Sequence, residues 1–212
     1  MGQYYLPTFL GKRYGIKGWL SPFEYDNGMK LMEHSYMGNI LVDAAIQLIM
    51  CNPMRVAWIG DYSDEPYGGD EPYQKLNGLL FNKIYGSVYG KPAKAPKVKP
   101  KPVEGFDTPK SYAGWYLLNH TRKSYVDLGR FARENSWREE WIGRDGLKHN
   151  GMFCIHPLPL LTACGNGRGG GDYYSQYPDY DKVGLWAFDL IELNDGIDDG
   201  YTEEVYRFKE EE

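Results

Sequence analysis

The residue types best suited to chemistry lie in one glycine-rich segment, Gly165-Asn166-Gly167-Arg168-Gly169-Gly170-Gly171-Asp172. Consecutive backbone N–H groups in a segment of this kind can form a concave nest that binds anions. The guanidinium of Arg168 would add a positive charge and a planar fork of donors. We therefore predict an anion-binding site here. The alternative is a plain connection between strands, in which the glycines only supply positive φ angles.

The glycine spacing in this segment also matches a dinucleotide-binding motif, but that motif requires a helix directly after it. The following residues, Asp172-Tyr173-Tyr174-Ser175-Gln176-Tyr177-Pro178, are a poor start for a helix, so we reject a Rossmann fold. Tyr173 and Tyr174 can instead stack on a nucleobase through their rings. His34 and Asp61 complete the ligand-binding set that we predict.

No metal site, cofactor or catalytic residue is predicted. None of the four histidines has the helical i, i+4 spacing of a zinc protease. Cys154, His156 and Cys164 lack the second pair of ligands that would complete a metal cluster. The acids between Asp61 and Glu71 can bind a divalent cation through oxygen atoms, but their spacing does not fit an EF-hand. A solvated acidic loop is the default interpretation.

The net charge of −5 is unevenly distributed along the chain. Residues 189–212 hold ten acids against two bases, Arg207 and Lys209, whereas the rest of the chain is mildly basic. The overall charge argues against general nucleic-acid binding. Because like charges at this density repel one another, we predict that the acidic segment is a solvated, partly frayed tail.

The element pattern favours an α+β fold, with a single mostly antiparallel sheet and two or three helices packed on it. The clearest helix begins at Asn39, which is suited to an N-cap, and carries an apolar face from Leu41 to Ile49. The predicted strands and hairpins lie at residues 3–20, 55–60, 113–128, 152–162 and 183–193, and two further helices are predicted at 73–85 and 131–142.

These elements predict one domain over residues 1–190, followed by the acidic tail at 191–212. Residues 91–102 carry five Lys and four Pro, which indicates a semi-extended surface loop inserted into the domain. No segment approaches the roughly 18 apolar residues of a membrane helix. The start of the chain has no signal-peptide pattern, and three unevenly spaced cysteines do not suit a disulfide scaffold. We therefore expect a cytoplasmic protein that does not bind membranes.

Several short motifs together resemble a family of short uncharacterised proteins from Gram-positive bacteria and their phages and plasmids. The motifs are Met1-Gly2-Gln3-Tyr4-Tyr5, residues 30–36 with Gly38-Asn39, residues 58–62, Asn119-His120-Thr121 and residues 155–172, which includes the glycine-rich loop. The resemblance spans residues 1–62 and 112–190. It implies a phage-type protein of the cytosol that acts by binding, including as an inhibitor or ligand sponge directed at host defence.

Three functions follow from these observations. The first is a binding protein that sequesters a small anionic ligand such as a nucleotide. The second is a protein–protein inhibitor of a host enzyme, acting through its acidic tail or an aromatic surface. The third is a metal-dependent phosphodiesterase that uses the acids at 61–71 with His34 or His120. A homo-oligomer is compatible with each of them.

Overall fold

The computed structural model describes residues 3–61, 96–143, 145–165, 173 and 178–209. Within them, helices and strands alternate irregularly along the chain. The strands are β1 (Tyr5–Leu10), β2 (Ile16–Trp19), β3 (Met54–Gly60), β4 (Tyr116–Asn119), β5 (Ser124–Asp127), β6 (Trp137–Ile142), β7 (Lys148–Phe153), β8 (Ala163–Cys164), β9 (Leu190–Asn194) and β10 (Thr202–Glu203). The helices are α1 (Leu31–His34), α2 (Ile40–Ile49), α3 (Leu128–Asn135) and α4 (Pro157–Leu161).

Eight of these strands form one sheet, in the order β10-β5-β4-β9-β3-β1-β2, with β8 also paired to β3. The neighbours are antiparallel except for two pairs, β8 with β3 and β10 with β5. Strands β6 and β7 form a separate two-stranded ribbon. The predicted α+β class and the large, mostly antiparallel sheet are confirmed. The small second sheet was not predicted.

Helix α2 forms where the apolar spacing predicts it. The Asn39 side chain accepts a hydrogen bond from the backbone N–H of Leu41 (2.9 Å), which satisfies one of the free donors of the first turn. The apolar face of the helix packs into the main core against one face of the sheet. The helix ends at Ile49, a few residues before Pro53.

Strand β3 is buried on both faces of the sheet. Val56 and Trp58 point into the main core on the α2 side, whereas Ala57 and Ile59 point into a smaller core on the opposite side. A strand covered on both faces has no polar alternation, and this explains its continuous apolar sequence. Because β3 lies in the middle of the sheet, other strands pair with both of its edges.

Three of the predicted elements differ from the structure, the first being the strand predicted at 183–193, which begins only at Leu190 after a series of turns. A helix was predicted at residues 131–142, but α3 ends at Asn135 and the following residues form β6. The helix begins earlier than predicted because the Asp127 carboxylate accepts from the N–H of Arg130 (2.9 Å) and so acts as the N-cap. A strand was predicted at 152–162, but α4 begins after His156, with Pro157 in its first turn, where a missing N–H costs nothing.

The predicted surface loop at 91–102 is packed along its described part. The backbone N–H of Trp19 donates to Pro96 O (3.2 Å), the N–H of Val98 donates to Trp19 O (2.9 Å), and the Val98 side chain packs on the main core. The Tyr25 hydroxyl donates to Pro100 O (2.9 Å). Residues 91–95, like the helix predicted at 73–85, lie outside the described residues. Residues 96–102 are exposed or half-buried and form no helix or strand, but their backbone hydrogen-bonds to Trp19 and Tyr25, so the segment lies against the domain.

Replacing residues 96–102 by a Gly/Ser linker of equal length should lower the free energy of unfolding by about 2–4 kcal/mol. Three prolines would be replaced by flexible residues, which costs about 0.4–1 kcal/mol each through the entropy of the unfolded chain, and the packing of Val98 would be lost. Urea denaturation followed by circular dichroism measures this change. The matched control is Lys97→Ala, which removes only an exposed ion pair to Glu24 and should cost less than about 1 kcal/mol. Equal stability of the linker variant and the wild type would show that the segment contributes nothing.

The prediction of a frayed tail is wrong for Leu190–Asn194 and for residues 202–208, whereas residues 195–200 are exposed. Strand β9 lies inside the sheet between β4 and β3, and β10 pairs with β5. Beyond β10, Tyr206 and Phe208 are buried whereas Val205 and Arg207 are exposed. Alternation directs the aromatic rings inward and the intervening side chains to solvent, so the high charge density does not prevent packing.

No helix among the described residues is long and apolar enough to cross a bilayer. The longest, α2, has ten residues. A helix of this length spans about half of the hydrocarbon core.

Candidate functional site

The candidate site lies at the edge of the sheet where β3 and β8 end. These strands are parallel neighbours, with Trp58 opposite Ala163 and Ile59 opposite Cys164. The residues that follow them, Gly60 and Gly165, therefore leave the sheet side by side. The chain continues from one into Asp61 and the acidic segment, and from the other into the glycine-rich segment. The pairing of β3 with β8 thus places the starts of the acidic segment and of the glycine-rich segment at the same edge of the sheet.

The side chain of Gln3 occupies this edge and is fully buried. The Tyr5 hydroxyl donates to Gln3 Oε1 (3.0 Å), which fixes the orientation of the amide. A Cβ atom at Gly165 would lie 2.5 Å from Gln3 Nε2, and one at Gly60 would lie closer still. Glycine at both positions is therefore required by the close approach of this amide, and for Gly165 this steric role is separate from any anion nest.

Among the described residues, the amide nitrogen of Gln3 is one of five buried side-chain polar atoms without a hydrogen-bond partner. An unpaired buried donor costs about 1–3 kcal/mol, because it has given up its hydrogen bonds to water. Native proteins contain few such groups. Gln3 Nε2 is therefore an unsatisfied donor beside Gly60 and Gly165, and a ligand oxygen atom would have to enter the protein interior at this edge to accept from it.

Asp61 is held in place by the first residues of the fold. Its backbone N–H donates to Tyr4 O (2.9 Å), and its Oδ1 accepts from the N–H of Tyr4 (2.9 Å). The residue is partly exposed. The structure thus places the Asp61 carboxylate at the same edge as Gln3, on a rigid backbone.

His34 lies in the core, where it contacts Trp58 of β3. Its Nδ1 lies 3.0 Å from Gly28 O, to which it donates, and its Nε2 accepts from the indole N–H of Trp58 (3.1 Å). Burial lowers the pKa of His34 to about 4. The imidazole is therefore neutral near pH 7, with both nitrogens occupied, and it tethers α1 to β3.

Tyr173 is buried as well, so its predicted role in stacking on a base is wrong. Its ring packs edge-on against Phe208, with 5.5 Å between the centroids, and its hydroxyl donates to Pro178 O (2.6 Å). A ring enclosed by the core is not accessible to a nucleobase. The other residues of the predicted set, Asn166, Gly167, Arg168, Gly169, Gly170, Asp172 and Tyr174, lie outside the described residues.

The cysteines and histidines considered as metal ligands have other roles. The Cys154 thiol donates to Ile155 O (3.4 Å), and burial raises its pKa to about 12. His156 Nδ1 accepts from the N–H of Leu158 (3.1 Å) and caps α4, and burial lowers its pKa to about 3. In the described part of the chain, no three His, Cys, Asp or Glu side chains are grouped so as to hold a metal ion.

His120 and Asp61 lie too far apart to form one site. Strand β9 lies between β4 and β3. Its Ile191 is opposite Asn119 of β4 on one side and opposite Met54 of β3 on the other, and Met54 lies seven residues before Asp61. The strand rise then separates His120 from Asp61 by about 20 Å. His120 instead contacts Glu192 (2.7 Å) and Tyr201 (2.6 Å).

Sequence reasoning missed Gln3, Glu192 and Tyr201 as candidate site residues. Each acts together with residues distant in the sequence, and none belongs to a local motif. The one local signal was Gln3 itself, a polar residue at the start of an apolar strand.

Comparison with protein-family models, with curated proteins and with solved structures finds no match to this chain.

Proposed function

We propose that this protein binds a small anionic ligand of the nucleotide type at the edge formed by β3 and β8. The observation that carries the proposal is the unpaired, fully buried donor Gln3 Nε2, which lies beside Gly60 and Gly165. A phosphate or base oxygen is the kind of acceptor that would complete its hydrogen bonding.

The surroundings of this donor support the same ligand class. In open sheets, ligands bind beyond the carboxyl ends of parallel strands, and here β3 and β8 provide such ends. The glycine-rich segment starts at this point, and its backbone N–H groups with Arg168 suit an anion. The mildly basic body of the chain would attract that anion.

A nucleotide fits this edge better than inorganic phosphate does. Carboxylates accept hydrogen bonds from ribose hydroxyls, as in dinucleotide-binding folds, and Asp61 directly follows Gly60, beside which the Gln3 amide lies. In a cytoplasmic phage-type protein, capture of such a ligand would remove a nucleotide signal from host defence. Sequestering a nucleotide in this way requires binding but no catalytic step.

Gln3→Met is expected to weaken nucleotide affinity by about 10- to 100-fold, because a hydrogen bond to a charged group contributes about 1.5–3 kcal/mol. The ligand-free melting temperature should change little, because methionine fills a similar volume and the removal of an unpaired buried donor offsets the loss of the Gln3 Oε1 acceptor of the Tyr5 hydroxyl. A thermal-shift screen of mono-, di- and cyclic nucleotides identifies a ligand through linked stabilisation. Titration calorimetry then compares the dissociation constants of the two proteins.

Two further substitutions provide a control and a second test of the proposed binding site. Ser124→Ala removes another buried polar atom that has no partner, in strand β5, and should leave the affinity unchanged. Arg168→Ala should weaken binding, with partial recovery in Arg168→Lys, because an ammonium group cannot reproduce the planar fork. Equal affinity in the wild type and Gln3→Met would refute a ligand contact at Gln3. No stabilisation of the wild type by any nucleotide would refute the proposed ligand class.

The β6–β7 ribbon supports a second function, the binding of a host protein. Four large apolar side chains are exposed on it or in its turn: Trp141, Ile142, Leu147 and Met152. Ile142 and Met152 share one face of the ribbon and Trp141 lies on the other, and exposed apolar side chains of this size can contribute to an interaction surface. A pull-down from host lysate with the wild type and with the double variant Ile142→Lys, Leu147→Lys tests this function. A partner retained equally by both proteins would exclude the ribbon.

A further inference from the structure

A second cluster of titratable side chains forms where the β4–β5 turn, β9 and the segment before β10 meet. Glu192 Oε2 lies 2.7 Å from His120 Nε2, and the Tyr201 hydroxyl oxygen lies 2.6 Å from His120 Nδ1. Asn194 Nδ2 donates to Glu192 Oε1 (3.2 Å). The side chains of His120 and Glu192 are only 16% and 10% exposed, so their contact is largely shielded from water.

The direction of these hydrogen bonds follows from the chemistry of the groups. A carboxylate only accepts, so His120 Nε2 carries the hydrogen that is donated to Glu192. His120 Nδ1 is then an acceptor, and the Tyr201 hydroxyl donates to it. The order is carboxylate, imidazole, hydroxyl. This is the arrangement in which an imidazole removes the proton of a nucleophile while a carboxylate stabilises the imidazolium that forms.

The turn that carries His120 is held rigidly. Asn119 is fully buried, and its Oδ1 accepts from the backbone N–H groups of Thr121 (3.0 Å) and Arg122 (3.1 Å). Its Nδ2 donates to Asp189 Oδ2 (2.9 Å), which also accepts from Arg122 Nε (2.7 Å). A base that is positioned in advance loses little entropy when it takes a proton.

A cation lies on the other side of the phenol. Lys123 Nζ is 3.4 Å from the Tyr201 hydroxyl oxygen and 4.8 Å from the centre of its ring. Negative charge that develops on the phenol oxygen during proton transfer would be stabilised by this ammonium group. His120, Glu192 and Lys123, which lie on two different segments, thus all favour reaction at the Tyr201 hydroxyl oxygen.

We infer that Tyr201 is a nucleophile toward neutral carboxylic esters, with His120 as its general base and with Glu192 and Asn194 as positioning residues. The exposed acidic residues just before Tyr201, among them Asp198 and Asp199, disfavour anionic substrates and so point to a neutral acyl donor. This activity is separate from the proposed ligand site, about 20 Å away by the strand register.

The reaction has two steps. In the first, the Tyr201 oxygen bonds to the acyl carbon and its proton moves to His120 Nδ1. The ester C–O bond then breaks, and the leaving alkoxide takes the proton from His120. In the second step, a water molecule gives a proton to His120 and adds to the acyl-tyrosine. The carboxylic acid leaves, and the proton returns to the Tyr201 oxygen.

The test is acylation of the full chain by p-nitrophenyl acetate at pH 7.5, with the modified tyrosines identified by peptide mass spectrometry. Tyr201 should react at least about 100-fold faster than Tyr4, because general-base assistance contributes about 10²- to 10⁴-fold. Tyr4 is 39% exposed and serves as the internal reference. Because the comparison is made within the wild type, it does not depend on whether a variant folds.

Variants assign the roles. Tyr201→Phe should abolish the fast acetylation, whereas Tyr4→Phe should leave it unchanged. His120→Gln should lower the Tyr201 rate to that of Tyr4. Glu192→Gln should lower the rate and change its dependence on pH. If Tyr201 only tethers the segment before β10, Tyr201→Phe lowers the melting temperature and wild-type Tyr201 reacts no faster than Tyr4. That outcome would overturn the inference.

Discussion

Phe208→Ala is expected to lower the free energy of unfolding by about 3–5 kcal/mol, even though the residue lies in the most acidic segment of the chain. The Phe208 side chain is only 1% exposed. Its ring stacks on that of Tyr206, with 5.9 Å between the centroids, and also contacts Phe131 and Tyr173. Alanine would leave a cavity among these rings. Urea denaturation monitored by tryptophan fluorescence measures the loss.

The backbone of the same segment is bonded to α3. The Phe208 N–H donates to Asn135 Oδ1 (2.8 Å), and Asn135 Nδ2 donates to Tyr206 O (3.1 Å). Val205→Ala is the matched control, because Val205 belongs to the same segment but is exposed. It should change stability by no more than about 0.5 kcal/mol. A similarly small effect for Phe208→Ala would mean that the segment is frayed, as its charge density alone predicts.

Asp43→Asn is expected to stabilise the protein by up to about 4 kcal/mol above pH 7 and to have little effect at pH 4. Asp43 is buried in the main core region, and its Oδ1 accepts from the Tyr112 hydroxyl (3.2 Å). Burial raises the pKa of Asp43 from 3.8 to about 7. The folded protein therefore holds this proton more tightly than the unfolded chain does.

The sign follows from proton linkage. Between pH 4 and 7 the folded state binds more protons at Asp43 than the unfolded state, so its contribution to stability falls as the pH rises. Each pKa unit corresponds to about 1.4 kcal/mol. Asparagine resembles the protonated acid and does not titrate. The gap between variant and wild type should thus widen from pH 4 to 7 and then stay constant.

Two buried histidines act in the opposite direction. Burial lowers the pKa of His34 to about 4 and that of His156 to about 3, so their contribution to stability is lost as the pH falls below about 6.5. Comparing Asp43→Asn with the wild type at each pH cancels this contribution. Denaturation curves at pH 4, 5.5, 7 and 8.5 give the comparison, with the exposed Asp198→Asn as control. A gap that does not vary with pH would contradict the raised pKa of Asp43.

The sequence by itself determined the elements whose causes are local. The Asn39 cap and the apolar spacing after it specified α2, and the alternation around residues 119–123 specified the β4–β5 hairpin. The continuous apolar run at 55–60 specified a strand buried on both faces. These features depend on hydrogen bonds and periodicity within a few residues, so the α+β class could be derived from them.

Only the tertiary structure decided which distant residues meet. Gln3 lies beside Gly60 and Gly165 because β1 and β8 both pair with β3, and no local pattern encodes that pairing. His120 meets Glu192 and Tyr201 for the same reason, through the register of β4 with β9. The acidic segment shows most clearly that a local property of the sequence does not determine tertiary packing. Its summed charge predicted fraying, but the free energy of burying two alternate aromatic side chains exceeds the repulsion among acids that stay in water.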